Sequence, residues 1–297
     1  MIWWKFRSAR QTRELDQRSA GRLLELLDPK PENELREADG FNGAVRASDS
    51  VTPIEYSASV SSGVERAEVV KAEVPDDVAD EMAANFFGFG DWLAPYWFIG
   101  VKQGKVPDDV VDDSKIVGAW VNGLKKGELV DCLEYHRAIG VQTWHKEKAK
   151  LQATWRPLML FLMTVLGRES DTEALRTYQR TRWGQVKKTE TCVVDLSGIP
   201  VKSFAAEADR EEYLKQRVWA IRRKIMLSGH PPRVVLMHGL AAQQHWEEIA
   251  GVPLQTDTVV RVGSTLFVMT VSPTVPGRKN ADWVKLGLEV RRELQAG

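Results

Sequence analysis

The chain has 297 residues, of which 43% are hydrophobic and 28% are charged, a composition typical of a globular protein with a sizeable core. Its 41 Lys and Arg residues balance 41 Asp and Glu residues, which argues against coating nucleic acid through bulk charge but permits a local basic patch. The sequence has no run of 18 apolar residues, and its start, MIWWKFRSAR, lacks the apolar h-region and the small-residue cleavage site of a signal peptide. We therefore expect a cytoplasmic protein with no membrane contact.

The cysteines and histidines give no recognisable metal motif. Cys132 and Cys192 are too few for a disulfide framework or for a four-cysteine zinc site. None of the five histidines is separated from another by four residues, the spacing that places two ligands on one helix face. We therefore predict neither a metal nor a cofactor.

The first part of the chain differs in composition from the rest. Residues 12–28 have the leucine spacing of an amphipathic helix, and residues 29–73 are rich in Pro, Glu, Ser and Asp, as linkers are. We predict an N-terminal helix and flexible linker over residues 1–73, which could form a partner-binding arm or a lid, and an α/β domain over residues 74–297.

Helical and strand patterns alternate through that second region. Periodicity, capping signals and short apolar runs predict helices near 77–90, 145–166, 171–183, 211–227, 243–250 and 281–294, and strands at 96–101, 191–196, 233–237 and 265–271. This order predicts an α/β fold with three layers, α/β/α, around a central, mostly parallel four-stranded sheet. Ligands of such sheets bind beyond the carboxyl ends of the strands, which here are the segments GVKQG, DLSGIP, MHGLAAQQHW and SPTVPGRKN.

Three common motifs are incomplete or absent. Gly88-Phe89-Gly90 lacks the third glycine and the preceding strand of a dinucleotide-binding loop, and the sequence contains no phosphate-binding P-loop. The run VVLMHG at residues 234–239 is similar to the strand and His-Gly turn of α/β-hydrolases. However, the chain has no G-x-S-x-G nucleophile elbow.

The strand-end segments, taken in order, resemble the motifs of the uracil-DNA-glycosylase superfamily. PYWFIGVKQG resembles its first motif, TCVVDLSGIP the strand that reads the flipped base, and LFVMTVSPTVPGRKNADWVKLG the last motif, with its DNA-entering loop and helix. The phrase VVLMHGLAAQQHWEEIAG also resembles bacterial relatives of this superfamily. The resemblance spans about residues 90–294 and implies a uracil-DNA-glycosylase-like fold and DNA as the partner.

The first motif implies a water-positioning loop bracketed by Gly100 and Gly104. The superfamily usually places an acid or amide there, followed by a proline, whereas this chain has Lys102 and Gln103. Lys102 cannot replace a carboxylate, although as an amine of depressed pKa it could attack the sugar, and Gln103 could orient the water.

The last motif carries Ser272 where the superfamily usually has a histidine that assists the leaving base. Ser272 is a weaker donor than histidine, and His238 on the neighbouring strand could take that role; otherwise His238 is a structural histidine. The resemblance implies that Thr274, Gly277, Arg278 and Lys279 contact the DNA backbone; a solvated turn is the alternative for Arg278 and Lys279.

Asp195 lies where the resemblance places the base-reading residue. An ionised aspartate only accepts hydrogen bonds, so it matches the amino group of cytosine better than the edge of uracil. The alternative is a loop or helix-capping aspartate. The basic helix that follows carries a cluster which could flank DNA or could be a solvated face: Lys215, Arg217, Arg222, Arg223 and Lys224, with Trp219 among them.

The leading hypothesis is a DNA glycosylase that hydrolyses the N-glycosidic bond of a non-standard pyrimidine and leaves an abasic site. By analogy with superfamily members, the substrate could be a hydroxymethylated or glucosylated cytosine in phage DNA, as in phage defence. A catalytically inactive, glycosylase-like protein that binds or senses nucleic acid is the first alternative. An α/β-hydrolase acting on small molecules, with a serine nucleophile beside His238, is the second.

Overall fold

The four hydrophobic strands predicted from the sequence form the centre of a larger sheet. In a computed structural model, residues 76–102, 113–198 and 207–297 are described, together with the side chains of most of them. The predicted N-terminal helix and linker lie outside these residues, as do Gln103 and Gly104. All described residues belong to one compact unit.

The described ranges contain eight α-helices and seven strands, besides three short 3₁₀ helices and one short π-helix. The helices are α1 Asp76–Asn85, α2 Asp113–Gly118, α3 Cys132–Ala138, α4 Trp155–Leu166, α5 Thr172–Thr181, α6 Glu207–Leu227, α7 Gln243–Ala250 and α8 Asn280–Ala296. The strands are β1 Gly88–Gly90, β2 Tyr96–Lys102, β3 Leu129–Val130, β4 Thr191–Ser197, β5 Val234–His238, β6 Val259–Val262 and β7 Thr265–Thr270. None of the helices in these ranges is both long and apolar enough to cross a bilayer.

The sheet is mixed and has the strand order β3-β1-β4-β2-β5-β7-β6. The central strands β4, β2, β5 and β7 run parallel to one another, as the alternation of helices and strands predicts. The predicted α/β class is confirmed, whereas the predicted four-stranded sheet is wrong in size. β1 and β6 extend it as antiparallel neighbours of β4 and β7, and β3 pairs in parallel with β1.

Strand β1 contains the Gly88-Phe89-Gly90 segment that resembled a fragment of a dinucleotide loop. Both glycines have positive φ angles, 144° and 99°. A Cβ atom on Gly88 or Gly90 would lie 2.3 or 2.0 Å from a backbone carbonyl oxygen of β4. The glycines therefore allow β1 and β4 to pair closely, whereas the glycines of a dinucleotide-binding loop contact a phosphate.

Helices cover both faces of the central strands. Alternate residues such as Phe98 and Leu236 pack with α4 and α8, while their neighbours Trp97 and Val235 pack with α6 and α7. Because both faces are buried, the central strands read as continuous apolar runs.

Two helices begin later than the sequence predicts. Asp171 accepts hydrogen bonds from the backbone N–H groups of Glu173 and Ala174, at 2.9 and 2.8 Å, and so begins α5. The predicted capping box began one residue earlier, at Ser170. The predicted 145–166 helix is also shorter, because α4 begins at Trp155, with Pro157 in its first turn.

Candidate active site at the carboxyl ends of the central strands

Four residues of the parallel strands lie at one level, directly after the last apolar layer of the core. Gly100 pairs with Asp195 across β2 and β4, and His238 pairs with Thr270 across β5 and β7. Ile99 pairs with Met237, so Gly100 also lies beside His238. By strand alternation all four are on the α4 and α8 face. The sheet thus brings Asp195, Gly100 and His238 together, as the resemblance implies.

Gly100 is the point where the side chains of Asp195 and His238 meet. A Cβ atom at this position would lie 2.4 Å from Asp195 Oδ1 and 2.9 and 3.1 Å from His238 Cε1 and Nε2. Such distances are shorter than ordinary van der Waals contacts, so only glycine leaves room for both side chains.

Asp195 is a strand residue whose side chain is partly buried, and it is neither a loop nor a helix-capping aspartate. Its backbone N–H donates to the Phe87 carbonyl oxygen, while its own carbonyl accepts from Arg217 Nη2. No hydrogen bond joins its carboxyl group to another described residue. Burial raises the pKa of this carboxyl to about 7, against the opposing attraction of the Arg217 guanidinium. The neutral acid is therefore available near neutral pH.

His238 is the last residue of β5, and its ring is partly buried. Burial lowers the pKa of the imidazole to about 4, so the ring is neutral at pH 7. Among the described residues, no serine hydroxyl forms a hydrogen bond with His238. The serine-nucleophile alternative therefore has no support from this geometry.

Thr270 and Asp257 extend the polar row, and the sequence analysis did not identify either of them. Thr270 Oγ1 donates to Asp257 Oδ1 at 2.6 Å, and Asp257 accepts two hydrogen bonds from Arg278, at 2.8 and 3.0 Å. Because side chains alternate between the two faces of a strand, the sequence of β7 could have predicted that Thr270 lies on the same face as His238 and level with it. The Asp257 contact could not have been found in this way, because it lies before β6, outside the central strands.

Arg278 is held within the protein. Its guanidinium binds Asp257 and lies 4.4 Å from the centroid of the Trp283 ring. The predicted phosphate contact would require breaking this arrangement, so Arg278 serves to position the loop between β7 and α8.

The remaining residues of that loop are available at the surface. Ser272 Oγ lies 3.3 Å from Thr274 Oγ1, and the side chains of Thr274 and Lys279 and the backbone at Gly277 are exposed. The Lys279 backbone N–H donates to Asp282 in the first turn of α8. Lys102 ends β2 opposite Ser197, and its side chain lies outside the described part of the structure.

The predicted DNA-flanking role is wrong for Arg217. Its side chain is buried, 3.5 Å from the centroid of the Phe87 ring, and donates to the carbonyl oxygens of Asp195 and Leu196 in β4 and of Ala83 and Ala84 in α1. The charge run along α6 gave no sign of this, because charge alone does not indicate which face of a helix is buried.

The other basic residues of α6 are closer to the surface. Lys215 pairs with Glu211 and Lys224 with Glu128, while Arg222 donates to the Glu248 carbonyl oxygen. The side chain of Trp219 is 61% exposed. These contacts are typical of a solvated helix face. Contact of these residues with DNA stays a prediction.

Two surface cavities lie away from Asp195 and His238. The larger, about 680 Å³, is lined by residues of α4 and α5 and by Arg168. It includes Tyr178, whose hydroxyl donates to Glu190 just before β4, and so it lies near the amino ends of the strands. The smaller, about 260 Å³, includes Tyr96 and Arg233 at the starts of β2 and β5.

Comparison of the chain with known protein families and with curated proteins finds no match.

Proposed function

We propose that this protein is a DNA glycosylase that removes a modified cytosine, with Asp195 and His238 acting on the base at the carboxyl ends of β4 and β5. The observation that carries the proposal is the meeting of these two side chains over Gly100. A titratable pair with perturbed pKa values at the ligand-binding edge of an α/β sheet is a candidate catalytic centre.

The neutral carboxyl group of Asp195 matches the hydrogen-bonding edge of cytosine. Its O–H can donate to N3 while its carbonyl oxygen accepts from the N4 amino group. The raised pKa keeps much of the group in this form near pH 7. Uracil already carries a proton on N3 and cannot accept another there. A cytosine derivative is therefore the better substrate for an acid at this position.

The same proton assists departure of the base. The oxygen of water bonds to C1′ as the C1′–N1 bond breaks, and the bonding electrons pass to the base. Asp195 transfers its proton to N3, so the base leaves neutral. The water loses a proton to solvent, and Asp195 regains one from solvent before the next turnover. An acid with a pKa near the working pH is suited to this transfer, which typically contributes about 10²- to 10⁴-fold in rate.

His238 acts as a hydrogen-bond donor in this scheme. A neutral imidazole with a pKa of about 4 is a poor base, but its N–H can stabilise the charge that develops on O2 of the departing base. This is the leaving-group role that Ser272 fills less well.

The loop between β7 and α8 lies at the same edge of the sheet and supports DNA as the substrate. Thr274 and Lys279 are exposed there, and the N-terminus of α8 follows directly. Hydroxyl, ammonium and backbone N–H groups of this kind hold phosphates beside a base that is flipped out of the duplex.

A base-release assay tests the proposal. The purified chain is incubated with unmodified DNA, uracil-containing DNA and DNA carrying hydroxymethylated or glucosylated cytosine, and free base and abasic sites are measured. We expect release from a modified-cytosine substrate only. Asp195→Asn keeps the side-chain shape but cannot transfer the proton, so release should fall about 100-fold or more.

Asp171→Asn is the matched control, because asparagine also caps a helix and this residue lies away from the site. It should leave base release unchanged. Equal activity of Asp195→Asn and the parent protein would reject the assigned role of Asp195. DNA binding without release from any substrate would instead favour the inactive, base-sensing alternative, which Lys102 in place of an acid also favours.

A further inference from the structure

A second group of reactive side chains lies between α3 and the following short helix, Thr143–His145. Cys132 and His136 occupy the same face of α3, one helical turn apart, and His145 approaches them from the short helix. Cys132 Sγ lies 3.5 Å from His136 Nδ1, and His145 Nε2 lies 3.2 Å from the same Nδ1 atom. One ligand atom from each residue falls within a group no wider than 4.8 Å.

Two of the three distances between ligand atoms are close to the edges of a tetrahedral metal site, and the third is no longer than 4.8 Å. Zinc binds sulfur at about 2.3 Å and imidazole nitrogen at about 2.0–2.1 Å, which puts neighbouring ligand atoms about 3.3–3.6 Å apart. The two measured separations are close to that range. Cys and His ligands in such an arrangement favour zinc over the hard cations magnesium and calcium, which prefer oxygen.

The cluster lies largely buried among aromatic side chains. Cys132 and His136 are buried, and the rings of Trp144 and Trp155 lie 5.2 and 5.5 Å from the His136 ring. Because a carbonyl oxygen only accepts, His136 Nδ1 carries a proton that it donates to the Cys132 carbonyl oxygen at 2.7 Å, and the same Nδ1 atom also faces His145 Nε2 at 3.2 Å.

We propose that Cys132, His136 and His145 bind one zinc ion, with water in the fourth position. Binding releases the thiol proton of Cys132 to solvent. It also requires the His136 proton to move from Nδ1 to Nε2, so the hydrogen bond from Nδ1 to the carbonyl oxygen is lost. The site would join α3 to the segment that leads to α4. It lies near the amino end of β4, because the Cys132 N–H donates to Gly184, whose own N–H donates to Thr191 Oγ1. The proposal is independent of base excision.

The spacing of the histidines in the sequence does not reveal this site. The spacing of four residues that places two ligands on one helix face is present, but it joins a cysteine to a histidine. His145 is contributed by another element, so its approach cannot be deduced from helix periodicity.

Metal content and cobalt substitution test the proposal with the full chain. The protein as purified should contain one equivalent of zinc, and the chelated protein should bind Co²⁺. Tetrahedral coordination predicts intense visible absorption bands, and ligation by Cys132 predicts a thiolate-to-cobalt band in the near ultraviolet. His145→Gln should weaken Co²⁺ binding on the order of 100-fold.

Cys132→Ala and Cys192→Ala form a matched pair, because both thiols are fully buried and both changes remove the same atoms. Only Cys132→Ala should abolish the thiolate-to-cobalt band. Circular dichroism checks that each variant is folded, and His145→Gln, whose side chain is partly exposed, serves if Cys132→Ala is not. The proposal is overturned if the parent protein binds no Co²⁺, or if folded variants of the proposed ligands bind it as the parent does.

Discussion

Gly100 controls the distance between the two side chains assigned to catalysis. Its Cα–H surface faces both Asp195 Oδ1 and His238 Nε2, and any larger residue must displace at least one of them. Asp195 and His238 belong to β4 and β5, which flank β2 on either side, so Gly100 on β2 lies between them.

Gly100→Ala is expected to reduce base release more than it reduces stability. The added methyl group would push Asp195 and His238 from their positions, and overpacking of this kind typically costs about 1–3 kcal/mol. Small displacements at a reacting centre can lower rates on the order of 100-fold. Initial rates of base release and the thermal unfolding midpoint measure the two effects.

Gly118→Ala provides the comparison, because a Cβ atom there would meet nothing within 4 Å. It should preserve both activity and stability. If Gly100→Ala released base at the parental rate, the rate of base release would not depend on the present positions of the Asp195 and His238 side chains.

Single residues show where sequence-based prediction succeeds and where it ends. Asp195, Gly100 and His238 could be predicted to lie near one another, because each ends a hydrophobic run and parallel strands end at one edge. The burial of Arg217 and the engagement of Arg278 by Asp257 could not. Both depend on partners brought close by other elements, about which the local pattern contains no information.

At the scale of elements, strand length and composition determined what could be predicted. The four central strands are long apolar runs buried on both faces, and each was predicted to within about two residues. The two-residue β3 and the glycine-flanked β1 provide too little pattern to identify. β6 has partly buried and exposed residues, as expected of an edge strand, so its hydrophobic signal is weak.

Arg217 links its own helix, α6, to α1 and β4, and its loss should destabilise the domain. Arg217→Met would remove the donors to carbonyl oxygens of α1 and β4 while keeping much of the apolar side chain. Carbonyl groups left buried without donors cost about 1–3 kcal/mol each when water cannot replace the donor. We expect a loss of about 3–5 kcal/mol in the free energy of unfolding, measured by urea titration.

Arg223→Met on the same helix is the matched control. Its side chain is exposed, so the free energy of unfolding should change by no more than about 0.5 kcal/mol. A similar small effect for both substitutions would show that the carbonyl groups around Arg217 find other donors.

At the scale of the whole molecule, the candidate active site and the proposed zinc site lie toward opposite ends of the strands. Asp195 and His238 lie at the carboxyl ends of the central strands, whereas the proposed zinc ligands lie near the amino end of β4. The arrangement allows a metal to stabilise the scaffold without contacting the base. A substitution at one of these two sites should therefore have no direct effect on the other.

The shifted pKa values of Asp195 and His238 make opposite contributions to the pH dependence of the free energy of unfolding. Asp195 titrates at about 7 in the fold and about 3.9 when unfolded, so its contribution to stability falls as pH rises between these values. His238 titrates at about 4 in the fold and about 6.5 when unfolded, so its contribution rises with pH over that interval. The two contributions largely cancel in the parent protein.

Single substitutions remove that cancellation in opposite directions. Relative to the parent, Asp195→Asn should gain stability as pH rises from about 4 to 7, by up to about 1.4 kcal/mol per pH unit. His238→Gln should lose stability relative to the parent between about pH 4 and 6.5. Because His136 and His145 are present in all three proteins, their titration cancels in these differences. Urea unfolding across this pH range measures both slopes, and parallel curves for the three proteins would show that neither pKa is shifted.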